Sequence, residues 1–483
     1  MRHITTTLTL TAALFAIGCG SDDNNFNYGF FPNPTSSPVV TGPTAVADSF
    51  STLGNSVLTG SVTANDTLNG ATVTAFQNPS NSGGTVAITS AGQLTYTPPL
   101  NAANVNDTFT YTLTNSVGFS TATVTVQIGA RGFFVKNDVP ATGTGTQTNP
   151  FKTLAEAVTA STGINGAQIV LFQGDGTATG LNTATALSNN QSMVAFDSNQ
   201  PTVSAAITAA NNSTLSGLRL TGNVQSTGRN GLAVQNCTVQ PAAGNALTIA
   251  NLSGTLSVRN CAFSGGVTPV NMTQSAGTFQ GTVSNCSLTG VSGNGVDLLA
   301  QSGATGNLTV DGCQFTNFVL AGINQAIGVR LQTTGAATNV SLQLLNSRVN
   351  NADFGFEDTS LAASQALILC VNNTITNTTF QGIAMGAGDP NSLILTRLTN
   401  NTLQNNQAGS SMQLSSVSGS RIGIVASGNN AATYQLGNDG TPGVLTQVEV
   451  FGVAGASFLS RNAGALSIVG TITDVAAGSL GIP

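Results

Sequence analysis

The chain has 483 residues, 40% of them hydrophobic and only 6% charged. Its 12 Lys and Arg face 18 Asp and Glu, a net charge of −6, so it offers no basic surface for nucleic acid and no charge repulsion to keep it unfolded. Trp is absent and the single histidine is His3, which removes a histidine base, a histidine-ligated metal and a Ser-His-Asp triad. Glycine-rich stretches such as Gly143-Thr144-Gly145 lack a following GK[ST], so no nucleotide loop is read.

At the start of the chain, Arg2 and His3 precede an apolar run from Leu8 to Ile17 that is too short to span a bilayer. The run ends in Ala16-Ile17-Gly18-Cys19, which resembles a bacterial lipoprotein signal. The resemblance implies removal of residues 1–18, lipidation of Cys19 and a membrane-anchored partnership. Gly20 after the cysteine suits passage to an outer membrane or the cell surface. Residues 19–43 are polar and bear proline, and read as a tether.

Between residues 44 and 128 the pattern becomes short alternating strands with regular turn signals, which predicts a small β-sandwich. The landmarks are Ala47-Asp48-Ser49-Phe50, Ala64-Asn65-Asp66-Thr67, Leu94-Thr95-Tyr96-Thr97-Pro98 and Asn106-Asp107-Thr108-Phe109-Thr110-Tyr111. On these residues the segment resembles the cadherin-like, Ig-like domains of bacterial surface proteins. The resemblance implies a spacer or adhesive stalk and carries a calcium expectation to Asp48, Asp66 and Asp107. The same aspartates also suit turn capping through their own backbone.

From residue 129 to 483 the strongest signal is internal repetition. An Asn-Cys pair recurs between apolar residues at Asn236-Cys237, Asn260-Cys261, Asn285-Cys286 and, with glycine first, Gly312-Cys313. Degenerate copies follow at Asn346-Ser347, Asn372-Asn373 and Asn400-Asn401. Steps of 24, 25, 27, 34, 26 and 28 residues describe the coils of a parallel β-helix, with Asn in the left-handed turns. About 12 coils would stand about 60 Å tall at ~4.8 Å per coil. Asn149-Pro150-Phe151-Lys152-Thr153-Leu154-Ala155-Glu156 resembles the opening of right-handed β-helix proteins of the pectate-lyase-like superfamily. Thr153 and Glu156 have capping-box spacing, which predicts a short helix over 154–160. The fold class is therefore all-β: a small sandwich followed by a long right-handed parallel β-helix solenoid. Cys237, Cys261, Cys286 and Cys313 share one repeat position and predict an inward thiol stack, with Cys370 a lone core cysteine.

Chemistry would sit on an outward row of neighbouring coils. A second motif, glycine then apolar-any-apolar, gives Gly295-Val296-Asp297-Leu298, Gly322-Ile323-Asn324-Gln325, Gly355-Phe356-Glu357-Asp358 and Gly382-Ile383-Ala384-Met385. Its third positions predict a row Asn271, Asp297, Asn324, Glu357, Ala384 and Ser411. Asp297 and Glu357 are the catalytic candidates, two coils or about 10 Å apart. Asp353 and Asp358 are expected to flank them, with Arg330 and Arg348 in nearby turns. An arginine could act as the base in β-elimination of a uronic acid chain, and the oxygens could hold calcium. Equally, an outward row must be polar, and two acids in it need no catalytic role. Two functions follow: a non-catalytic surface adhesin binding a glycan or another envelope protein, and, alternatively, a polysaccharide lyase or glycoside hydrolase acting on acidic polysaccharide.

Overall fold

A computed structural model describes residues 41–318, 325–407, 410–417, 419–438, 445–450, 461–469, 472–476 and 480–482. Cys19, the leader and nearly all of the tether lie outside them.

The first region is an antiparallel sandwich with one exception in strand direction. Thr72–Phe76, Val105–Thr114 and the start of Phe119–Val135 pair antiparallel, and Asp48–Gly54 joins the last of these in parallel. The facing sheet is Leu58–Ser61, Gln93–Thr97 and Thr85–Ile88. Alternation places Leu94, Tyr96, Phe109, Tyr111, Leu113, Val124 and Val126 inward, where they form a closed core.

Phe119–Val135 does not stop at the edge of the sandwich. Its first residues pair with Val105–Thr114 and its last four, Gly132 to Val135, pair in parallel with Gln168–Leu171. One strand thus belongs to both regions. The junction is further tied by Asn55, whose amide donates to the Gly132 carbonyl at 3.1 Å, and by Gln147, whose Oε1 accepts from Val57 N at 2.6 Å. The two regions are joined by a hydrogen-bonded strand rather than by a loose linker.

The second region is a parallel β-helix, and each full coil contributes up to three strands. On the first face Gln168–Leu171, Ser192–Ala195, Ser213–Ser216 and Gly231–Gln235 stack in register and continue upward. On the second face lie short strands such as Thr238–Val239, Ala262–Ser264 and Ser287–Thr289. The third face runs Leu247–Ala250, Val270–Gln274, Val296–Gln301, Ile327–Thr334, Phe354–Leu361, Ile383–Ala387 and Met412–Ser416. Leu154–Ser161 is the short helix at the entry, and both halves of its Thr153–Glu156 capping box form. Such a cap shields the first coil from adding a foreign strand.

The turn between the first and second faces explains the Asn-Cys repeat. Asn236, Asn260, Asn285, Asn346, Asn372 and Asn400 all have φ between 49° and 58°, the left-handed conformation Asn tolerates. Their side chains bond along the stack, Asn260 to Asn236 at 3.3 Å and Asn372 to Asn346 at 3.2 Å. The next residue points inward. Cys237, Cys261, Cys286 and Cys313 are buried and unbridged, each thiol donating to the carbonyl two residues before it. Above Cys313 the same slot is taken by Ser347, Asn373, Asn401, Asn429 and Asn462. Asn373 Nδ2 donates to Asn401 Oδ1 at 3.0 Å, Asn401 to Asn429 at 2.9 Å, and Asn429 to Asn462 at 2.8 Å. The lower coils carry a buried thiol column and the upper coils a buried amide column.

Candidate functional site

The outward row on the third face differs from the sequence expectation at two places. Paired residues run Thr248, Asn271, Asp297, Arg330, Glu357, Ala384 and Gln413. Asn324 falls outside the described residues, and Arg330 holds the position between the two acids. Ser411 is replaced by Gln413, the outward residue of Met412–Ser416. The reason lies in the glycines. Gly295, Gly328 and Gly355 stack so closely that a Cβ on each would sit 2.5 Å from the carbonyl oxygen of Gly328, Gly355 and Gly382 respectively. The copy that belongs in the stack is Gly328-Val329-Arg330-Leu331, not Gly322-Ile323-Asn324-Gln325. Gln325 puts a polar residue where Leu298 and Met385 face inward, but Asp358 does the same in a copy that does stack, so the pattern alone did not separate the two.

Asp297 is held on both oxygens. Arg330 Nε donates to Oδ1 at 2.8 Å and its Nη2 to Oδ2 at 2.6 Å, while Asn294 Nδ2 adds a bond to Oδ2 at 2.9 Å. The aspartate side chain is 7% exposed and the arginine 36%. This forked pairing is the strong geometry for a guanidinium and a carboxylate. It raises the Arg330 guanidinium above its ordinary value, with burial opposing. Glu357, one coil further on, is half-buried and has no ion pair among the described residues. Burial pushes its carboxyl up, the Arg330 charge pulls it back, and repulsion from Asp297 adds to the rise. The row thus joins a committed carboxylate, a shared cation and an unengaged acid within two coil steps, about 10 Å. Two shallow depressions adjoin it. One, about 250 Å³, has Asn294, Gln325 and Arg330 in its wall. The other, about 240 Å³, has Glu357, Gln381 and Gln413. No aromatic side chain except Phe354 lines either.

The remaining acids and Arg348 lie away from this row. Asp358 points into the coil, in the same inward row as Leu331 and Met385, not beside Glu357 on the surface. It is 1% exposed, its Oδ1 meets no donor, and burial pushes its carboxyl well above the usual range. Alternation requires this: side chains at successive strand positions face opposite sides. Asp353 is also buried, and its Oδ2 accepts the Ala326 backbone N–H at 2.8 Å, clipping the segment that leads into Ile327–Thr334. Arg330 lies within that strand rather than in a turn. Arg348 opens Arg348–Ala352 on the second face, exposed between Gln314 and Thr374, and is not part of the site.

In the sandwich the three aspartates are largely engaged by protein donors. Asp107 is buried and accepts from Tyr96 Oη at 2.6 Å, from the Ser80 hydroxyl, and from Ser82 N and Thr108 N at 2.8 Å each. Burial alone would raise its carboxyl; these donors outweigh burial and hold it below the usual range. Asp66 accepts Val46 N at 2.7 Å and Tyr111 Oη at 2.8 Å. Asp48 keeps one buried oxygen without a donor, and burial, with repulsion from Asp66, moves its carboxyl up to about 6 against the bonds from Tyr111 and Asn65. No group of three or more metal-ligating side chains occurs among the described residues.

Residues 41–128 match the bacterial Ig domain family. No curated protein matches the chain. Among solved structures, the family 28 exopolygalacturonase of Yersinia enterocolitica is similar at 9% identity and a TM-score of 0.32, over 78% of this chain and 86% of that one. The GH136 lacto-N-biosidase of Eubacterium ramulus follows at 13% identity and a TM-score of 0.20, over 71% and 68%. A bacterial Ig module is a component of extracellular and surface proteins, and no helix among the described residues is long and apolar enough to cross a membrane. The chain is a bacterial Ig domain followed by a parallel β-helix.

Proposed function

We propose that the chain is an exported bacterial lipoprotein, anchored through Cys19, whose β-helix is a non-catalytic scaffold that binds a glycan or an envelope partner. The observation that carries this reading is the state of Asp297. A carboxylate that already accepts three bonds and is 7% exposed has little left for a water or a sugar hydroxyl. Arg330 stands in the row between the two acids, where an inverting pair needs room for water, with its guanidinium on Asp297. The Ig module supports a stalk, and its hydrogen-bonded continuity with the first coil supports one rigid projection from the membrane.

A second reading is favoured by Glu357. An acid pushed up by burial and free of partners is suited to protonate a leaving group, which would make the chain a glycoside hydrolase or lyase of acidic polysaccharide.

Fractionation tests the anchored scaffold. With Cys19 intact the chain sediments with membranes, incorporates a fatty-acid label and retains polysaccharide; Cys19→Ser releases it unlabelled with that retention unchanged. A soluble, unlabelled wild-type chain would overturn the anchor, and a wild-type chain that retains neither polysaccharide nor an envelope protein would overturn the scaffold.

A further inference from the structure

A concavity of about 540 Å³ lies far down the solenoid from Asp297, beside the entry helix. Four successive turns build it: Ile164 and Asn165 after the helix, then Leu187 to Asn189, then Ala210, then Arg229. Leu187 and Ala210 are 6% and 7% exposed and make an apolar floor. The rim is hydrogen-bonding. Asn165 Oδ1 is used by Asn190 at 2.7 Å and Asn189 Oδ1 by Asn211 N at 3.2 Å. Each of these rim amides thus spends its acceptor on the stack, which leaves its NH₂ group as the donor to offer a ligand.

Arg229 is the one charged residue of the lining, and no acid accompanies it. Arg229 makes no ion pair among the described residues. Its Nε is withdrawn from solvent without an acceptor. An unpaired guanidinium with one nitrogen already desolvated gains most from a planar or tetrahedral oxyanion. On a chain with net charge −6, such a site is a local exception.

We propose that this groove binds an anionic saccharide, with Arg229 taking its carboxylate or sulfate, the amides of Asn165 and Asn189 meeting its hydroxyls, and Leu187 and Ala210 packing under the ring. Charge complementarity sets the anion, and the apolar residues under a rim of donors suit a sugar. The volume lies within the ~300–1,000 Å³ usual for small-ligand sites. This inference rests on the glycan-binding reading above but uses a different part of the molecule.

Calorimetric titration of the mature chain with trigalacturonate, galactotriose and sulfated galactotriose tests it. The expected result is binding of one or both anionic sugars, weakened by added NaCl, and at least tenfold weaker binding of galactotriose. Arg229→Gln lowers the anionic affinity tenfold or more, Arg229→Lys falls between it and the wild type, and Arg348→Gln, at an exposed arginine on the second face, leaves it unchanged. Unchanged melting of Arg229→Gln excludes misfolding as the cause, since Arg229 binds Ser253 through its backbone carbonyl only. Equal affinity in Arg229→Gln, equal affinity for galactotriose, or no binding of an anionic sugar at millimolar concentration would overturn the site. Retention of acidic polymer by the wild-type chain in the last case would leave the scaffold reading standing, and loss of all retention would remove both.

Discussion

The lower and upper halves of the β-helix fill one inward slot in two ways. From Cys237 to Cys313 the slot holds thiols whose partners are nearby carbonyls. From Asn373 to Asn462 it holds amides bonded to each other and to the carbonyl of the preceding coil, as Asn401 Nδ2 is to Cys370 at 2.7 Å. A thiol behaves as a small apolar group and survives with weak bonds, whereas a buried amide must be fully satisfied. The lower column is therefore held by space-filling and the upper one by continuous hydrogen bonding. Between them lies the longest step of the repeat, 34 residues from Cys313 to Ser347. Asp297, Arg330, Asp353, Glu357 and Asp358 all gather within about one coil of that irregular step. Charge collects where the repeat is broken.

The comparison can be broken by substitution. The largest effect is expected for Asn401→Leu, which strands the Asn373 backbone N–H and one hydrogen of its Nδ2 and takes the side-chain donor from the Cys370 carbonyl, all in the interior. We expect a loss of about 3–5 kcal/mol in denaturant unfolding of the upper coils. Arg330→Gln comes next, at about 1–2 kcal/mol, because the stranded Asp297 is buried while the arginine it loses is partly exposed and screened. The same variant raises the Glu357 carboxyl further, since the Arg330 charge is what pulls it down; carbon-detected NMR titration reads that shift. Cys286→Ala should cost about 1 kcal/mol, a small vacancy with no stranded donor. An equal loss at Cys286 and Asn401 would remove the distinction between the columns.

Two acids sharpen the picture through pH. Asp358 is raised well above its ordinary value of 3.8 by burial. A raised acid binds its proton more tightly in the folded state, so the stability it contributes is complete below about 3.8 and is lost as pH rises through the folded value. Asp358→Asn should remove that loss and melt higher than the wild type at neutral pH. Asp48, raised to about 6, should give the sandwich a smaller decline between about pH 4 and 6, absent in Asp48→Asn. Melting followed across that range checks both.

Much of this architecture was legible in the chain. The Asn-Cys repeat placed the left-handed turns and the inward thiols because a turn needs a particular φ and the next residue must then face inward. The Thr153–Glu156 spacing placed the helix for an equally local reason. Inside the irregular coil the reading failed. Two glycine motifs, six residues apart, competed for one slot, and the backbone stacking of Gly295, Gly328 and Gly355 chose the second. That choice depends on contacts between coils, which spacing alone does not encode. It put Arg330 in the row between the acids, where the guanidinium neutralises Asp297 and leaves Glu357 without an ion pair among the described residues. Asp358 was misplaced by one strand position, enough to move it from surface to core. Arg229 escaped notice because its significance lies in what does not surround it.

Asp297 is committed to Arg330, and the scaffold proposed from it binds without turning over a substrate. The most direct measurement incubates the mature chain with acidic and neutral polysaccharides, reading unsaturated and reducing ends together with retained complex. Retention without new chain ends is the expected result, and it should survive Glu357→Ala. Chain cleavage that Glu357→Ala or Asp297→Ala abolishes in a folded protein would contradict the account and make this β-helix a depolymerase.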